Sequence, residues 1–452
     1  MHAPAAAATA LLIGGWIAAA ANASTDLPSF QALVDQAAPN SLLSPPAGVY
    51  AGPIVLDKPL DIDGRGEVTI DAGGHGSVIV LDTDNATLRG LHLTNTGSSH
   101  NDIDAGVQVR GNFNVIKDNR IDDCLFGIDM QQSNNNIVRR NHISSKPVEL
   151  GLRGDAIRLW YSFDNTVEDN VAVDSRDIVV WYSHDNVIRR NRASGGRYSL
   201  HFMYSQYNLV EDNDFRGNSV GIFLMYSDSV VIRGNHISHA VGAAGVGIGF
   251  KETSDVDIIG NEILYCATGL HLDLSPFQPD TTNRVRDNLI AYNGIGIQFL
   301  NDWTGNVFED NILKGNLTQV AVLGARTAKR NEWRNNHWDD YTGFDRDGDG
   351  IGDSAHEQYA YADRIWMDVP PARFFKGSPM LEVLDFLERL APFTAPELML
   401  RDPQPLLTAE FRPGAGRSAA IPGEDGQAPD AAPGSPAQPD AYDLLRRSLG
   451  RD

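Results

Sequence analysis

Three side chains near the middle of the chain, His201, Met203 and Met225, are of the donor types a soft cation selects. They sit in two copies of one phrase, YSLHFMYS (Tyr198–Ser205) and VGIFLMYS (Val220–Ser227). Two thioethers and an imidazole, with no carboxylate beside them, favour Cu(I) over zinc, magnesium or calcium. A second group is of the opposite kind. DRDGDGIGD (Asp345–Asp353) sets Asp345, Asp347, Asp349, the Ile351 carbonyl and Asp353 at positions 1, 3, 5, 7 and 9 of a calcium loop, with Gly350 at its tight turn. His356 stands where such a loop carries a bidentate acid. The expectation is a structural calcium; an acidic turn without an ion is the alternative.

Glycan cleavage or epimerisation would need an acid–base pair or a base beside metal-bound carboxylates. The outward strand positions supply Asp129 and Asp273, about six repeats apart, which is too far for a pair. The GHG at Gly74–Gly76 has no companion Asp motif. A polysaccharide lyase or epimerase is therefore the alternative function, and a catalytic role is not expected.

What positions the soft donors is a repeat. NVIKDNRI (Asn114–Ile121), NIVRRNHI (Asn136–Ile143), NTVEDNVA (Asn165–Ala172), NVIRRNRA (Asn186–Ala193) and NLVEDNDF (Asn208–Phe215) share one pattern. Its second Asn recurs from Asn119 to Asn336 at steps of about 22 residues, longer where a turn has grown. The units are rich in Val, Ile, Asn and Gly and have no helical period, so they read as short strands between Asn/Gly turns. A propeller blade needs about 40–45 residues. The fold class predicted is all-β, a right-handed parallel β-helix of about 11–12 coils, with Asn side chains stacked from coil to coil.

Aligned strands give two uniformly apolar slots, such as Leu200 with Phe202 and Ile222 with Leu224, which share the core face by the period of two. The alternate slots must point outward. They place Trp160, Trp181, Met203 and Met225 in one row and His201, Phe223 and His271 in the other. Met203 and Met225 become ladder neighbours with Cβ atoms about 5 Å apart, and His201 lies about 7 Å along the strand from Met203. An exposed apolar patch of this kind marks a binding surface. If another element covers the face, the methionines are ordinary packing.

The totals set outer limits. The chain has 452 residues and a net charge of −22, which argues against a nucleic-acid partner. Residues 1–23 read as a signal peptide: an apolar run, then the small-x-small site Ala21-Asn22-Ala23, although its n-region lacks Lys and Arg. A retained membrane anchor is the alternative. The mature chain is expected to be periplasmic, with an N-terminal cap and leading strand over 24–60, the β-helix over 61–340, and a segment over 341–407 holding the calcium-like loop and a helix. Residues 408–452 are Ala/Pro/Gly/Asp-rich and expected to be disordered. Cys124 and Cys266 fall in equivalent slots about 29 Å apart, too far for a disulfide. SPMLEVLDFLERL (Ser378–Leu390) predicts a helix with Ser378 as N-cap, Pro379 at N1 and a stripe containing Leu381, Leu384 and Leu387. That helix either caps the solenoid or docks a partner. Trp160, Trp181, Phe223, His271, Leu381, Leu384 and Leu387 form the expected partner-docking patch.

The run from GDAIRLWYSFDN through VGIFLMYS, followed by YTGFDRDGDGIGD, DRIWM and FFKGSPMLEVLDFLERLAPF, resembles the NosD family of periplasmic maturation proteins for nitrous oxide reductase. The similarity spans about residues 42–400. It implies a non-catalytic β-helix that joins an ABC transporter with NosF-type ATPase and NosY-type membrane subunits. A NosL-type copper chaperone and nitrous oxide reductase are the implied partners on either side of copper transfer, with Cu(I) bound transiently.

Overall fold

The structure, a computed structural model, describes residues 27–411 apart from 325, 362–363, 376 and 392–395. The expected signal peptide and the tail beyond residue 411 lie outside the described residues. Each coil contributes one strand to a 12-stranded parallel sheet and two to a 24-stranded sheet. A middle coil runs Tyr198–Met203, Leu209–Glu211, Asp214–Arg216, and the next begins at Val220–Met225. The solenoid has about 13 turns, slightly more than the repeat count implies. The extra winding comes early: Ser41–Leu43, Gly48–Ala51 and Ile54–Leu56 already pair with the coil that follows them. The helix Phe30–Gln36, capped by Ser29, closes this end by burying Phe30 and Val34.

Side chains explain the winding. Ile157, Leu159, Ile178, Val180, Leu200, Phe202, Ile222 and Leu224 are all buried in one core, so the two apolar slots face inward as their spacing requires. Each second Asn is buried and binds its successor: the Asn213 backbone N–H and Nδ2 both donate to Asn235 Oδ1 at 2.9 Å, and Nδ2 also donates to the Ile188 carbonyl. The same pattern holds from Asn119 onward. Buried turn amides are thereby satisfied without water.

The Tyr-Ser ending of the repeated phrase has its own cause. Tyr161, Tyr182, Tyr204 and Tyr226 adopt φ between 48° and 51°, a left-handed conformation unusual for an aromatic residue. Their rings stack in a column at 4.9, 5.2 and 4.8 Å. The serine after each tyrosine is buried, and each backbone N–H donates to the hydroxyl in the same slot of the next coil, a serine for the first three and Thr253 for Ser227. Some approaches between coils leave no room for a side chain: a Cβ on Gly221 would lie 2.3 Å from the Gly247 carbonyl oxygen.

The C-terminal end is closed by an antiparallel pair, His356–Ala360 with Glu397–Asp402. Asp402 finishes the asparagine ladder, its Oδ2 accepting from Asn336 N, Asn336 Nδ2 and Trp338 Nε1 at 3.0–3.1 Å. The helix Pro379–Leu390 forms with Ser378 as N-cap and Pro379 in its first turn. Cys124 and Cys266 are buried and unbridged.

Candidate functional site

The outer face of the 12-stranded sheet carries the soft donors. The strands pair Trp160 with Trp181, Trp181 with Met203, Met203 with Met225, and His201 with Phe223. One register differs from the simple alignment. Asp177 pairs with Tyr198, not Ser199, because an irregularity precedes the Val179–His201 pair. That shift brings Tyr198 over the site. Its ring stacks on His201 at 4.7 Å, while Trp181 meets His201 edge-on at 5.7 Å.

His201 Nε2 lies 3.4 Å from Met225 Sδ. The imidazole is only 5 % exposed, and burial pushes its pKa down to about 4. It is therefore neutral at neutral pH and keeps a nitrogen lone pair for a metal. His201 Nδ1 and Trp181 Nε1 are buried without a hydrogen-bond partner among the described residues. Met203 and Met225 are half-buried on the outer face and do not join the packed interior. The sequence reading passed over Tyr198 and the ion pair of Asp177 with Arg197, which lies beside the imidazole and acts on its charge. The adjacent YS and RY residues were visible, but the strand irregularity that turns them toward His201 was not.

The expected docking patch does not hold together. Trp160 and Trp181 face outward, seven and six coil spacings, or roughly 29–34 Å, from the last strand of that sheet. Phe223 lies over Gly249, whose Cβ would come 2.3 Å from the ring, and His271 approaches Gln298 at 3.3 Å. Leu381 is buried in the main core, which removes it from any docking surface; Leu384 and Leu387 stay exposed. Leu381 faces the coil end because the helix seats one edge of its stripe there. The exposed side instead presents Met380, Val383, Phe386 and Leu390 with Leu384 and Leu387.

In the acidic loop, one carboxylate oxygen from each of Asp345, Asp347 and Asp349 lies within 4.8 Å of the others. Asp345 accepts from Gly348 N and Gly350 N, and Ile351 N donates to Asp349. Asp353 instead accepts from Arg346 N. His356, at the twelfth position, turns away and stacks on Trp338 at 4.6 Å.

The two carboxylates that the sequence sets on outward strand positions are already paired. Asp129 is wholly buried between Arg110 and Arg158, at 2.9 and 3.0 Å. Asp273 pairs with Lys251 at 3.3 Å.

Fold and face together define a parallel β-helix whose outer sheet face sets an imidazole beside two thioethers. A profile described as periplasmic copper-binding protein (NosD) matches residues 141–343, and one for the right-handed β-helix region matches 66–180. A probable ABC transporter binding protein NosD from Pseudomonas aeruginosa is 30% identical over 401 residues, covering 81% of this chain and 89% of that protein. Its counterpart from Stutzerimonas stutzeri is 27% identical over 381 residues, covering 77% and 82%. The chain belongs to the NosD family. Among solved structures, the A-module of the Azotobacter vinelandii mannuronan C-5 epimerase AlgE4 superposes with a TM-score of 0.52 at 18% identity, covering 67% of this chain and 96% of that one. This likeness shows the fold alone.

Proposed function

We propose that the chain is a periplasmic, non-catalytic adaptor that receives Cu(I) and passes it on for nitrous oxide reductase assembly together with an ABC transporter. His201, Met203 and Met225 hold the ion in transit. The observation that carries this reading is the 3.4 Å approach of His201 Nε2 to Met225 Sδ, on a face where Met203 is the paired neighbour. The relatives' description as transporter binding proteins and the family's description as periplasmic and copper-binding support it. A NosL-type chaperone is the donor and nitrous oxide reductase the recipient in this reading.

The test is a Cu(I) titration against a competing chelator under strictly anaerobic conditions. The protein should take up one Cu(I), and Met203→Ala with Met225→Ala should weaken binding at least a hundredfold. Unchanged affinity in the double variant would reject the site. Depolymerisation or epimerisation of alginate by the purified protein, abolished by His201→Ala, would favour the glycan-enzyme alternative instead.

The transporter meets the exposed helix side, where Val383, Phe386 and Leu387 project. Trp160 and Trp181 remain free to face the copper donor. The carboxylates of Asp345, Asp347 and Asp349, with the Ile351 carbonyl and Asp353, hold a structural calcium ion; the convergence of the first three supports this.

A further inference from the structure

At the C-terminal end of the solenoid a cleft of about 620 Å³ opens between the last coil, the segments on either side of the acidic loop and the helix Pro379–Leu390. Its wall carries Asp339, Asp340, Glu357 and Asp385 against one guanidinium, Arg389. Most of these charges are answered from within. Asp385 accepts from Arg389 at 2.7 Å; Glu357 accepts from Tyr359 Oη and lies 3.6 Å from Arg401; Asp339 accepts from Gly315 N and from Gln319 Nε2.

Asp340 differs. Among the described residues no lysine or arginine lies within 4 Å of it, and it faces His356, whose Nε2 is 3.8 Å away and beyond hydrogen-bond reach. His356 is 94% buried (6% exposed), and its Nε2 has no hydrogen-bond partner among the described residues. Gln358, on the same wall, gives its Nε2 to the Val320 carbonyl and leaves Oε1 buried and unpaired. The buried Gln358 Oε1 calls for a hydrogen-bond donor, His356 Nε2 can accept one in the tautomer protonated on Nδ1, and beside them the half-exposed Asp340 carboxylate offers the cleft a negative charge. Burial pushes His356 down, so the imidazole facing Asp340 is held neutral and does not itself supply the positive charge. At about 620 Å³ the cleft has room for a planar guanidinium fork. Its rim already holds one, Arg389, which lies over the Tyr361 ring at 5.4 Å while bonding Asp385.

We propose that this cleft receives a guanidinium side chain from the docking partner, held by Asp340 with His356 and Gln358. The identity of that partner rests on the transporter reading above, because the cleft shares the helix whose opposite side is exposed and apolar. The cation site itself does not depend on that reading.

The probe is N-acetylargininamide titrated calorimetrically into the full chain, with N-acetylcitrullinamide as the neutral isostere and agmatine as a free cation. One-site saturable binding is expected for the arginine derivative, at least tenfold weaker for the citrulline derivative and for Asp340→Asn. His356→Gln, checked for folding by circular dichroism, should weaken it similarly. Absence of saturation, equal binding of the citrulline derivative, or Zn²⁺ binding that requires Asp340 and His356 while the arginine derivative fails would overturn the proposal. Agmatine binding a hundredfold tighter than the arginine derivative would overturn a partner side chain as the source. Leu387→Asp should abolish association with the detergent-solubilised transporter and leave argininamide binding intact; if association survives, the docking reading falls and the cation site stands.

Discussion

Asp155 shows how a single buried charge shapes this protein's response to pH. It is fully enclosed, and burial pushes its pKa up to about 6, against the pull of Arg176 at 2.9 Å. Between its ordinary value and about pH 6 the folded state holds a proton that the unfolded chain has released, so this group's stabilisation is lost as pH rises through that window. Asp155→Asn has no such proton to lose. Its melting temperature relative to wild type should rise between about pH 4 and pH 7; a gap constant with pH would contradict the assignment. The cysteines make a second test at this scale. Burial raises both thiols, Cys266 to about 11. Neither should react with a disulfide reagent in the native protein, and both should react once it is unfolded.

Among the elements, the asparagine ladder and the C-terminal closure bury polar groups that find their partners in the next coil. Asp402 accepts three hydrogen bonds from the last coil, so Asp402→Ala orphans three donors and should cost about 3 kcal/mol in denaturant unfolding. Asn213→Ala, mid-ladder, should cost about 2 kcal/mol. The helix gives a contrast between neighbours on one stripe. Leu381→Asp puts a charge into the core and should destabilise by about 3 kcal/mol, whereas Leu387→Asp should change stability by less than about 0.5 kcal/mol. The stripe was legible in the spacing of its leucines. Which edge of it would be covered was not, because that depends on how the helix meets the last coil.

For the whole molecule, a solenoid is stabilised only between neighbours, so its two ends decide whether it frays. The helix Phe30–Gln36 guards one end and the pair His356–Ala360 with Glu397–Asp402 the other. The acidic loop is tied to this second closure, where Gly352 N donates to the Pro405 carbonyl and Leu407 N to the Gly350 carbonyl. Calcium at a hundredfold excess over its dissociation constant should therefore add about 2.7 kcal/mol. A chelator should reverse the gain, and Asp347→Asn should abolish it. Between the ends, oppositely charged residues alternate along the paired strands: Glu168 meets Arg139 and Arg189, and Glu211 meets Arg233. A coil slipped by one repeat would set like charges together, which makes the ladder a register device.

The β-helix, the inward slots, the asparagine ladder and the outward setting of His201, Met203 and Met225 were determined by the sequence alone. Periodicity suffices there because each side chain's direction follows from its own strand and each neighbour from the repeat. Tertiary structure alone decided that Tyr198 and Trp181 would enclose the imidazole, that Leu381 would be buried and Leu387 exposed, and that Asp340, His356 and Gln358 would share one cleft. Those contacts join segments outside the repeat, or pass through a strand irregularity, and no period relates them.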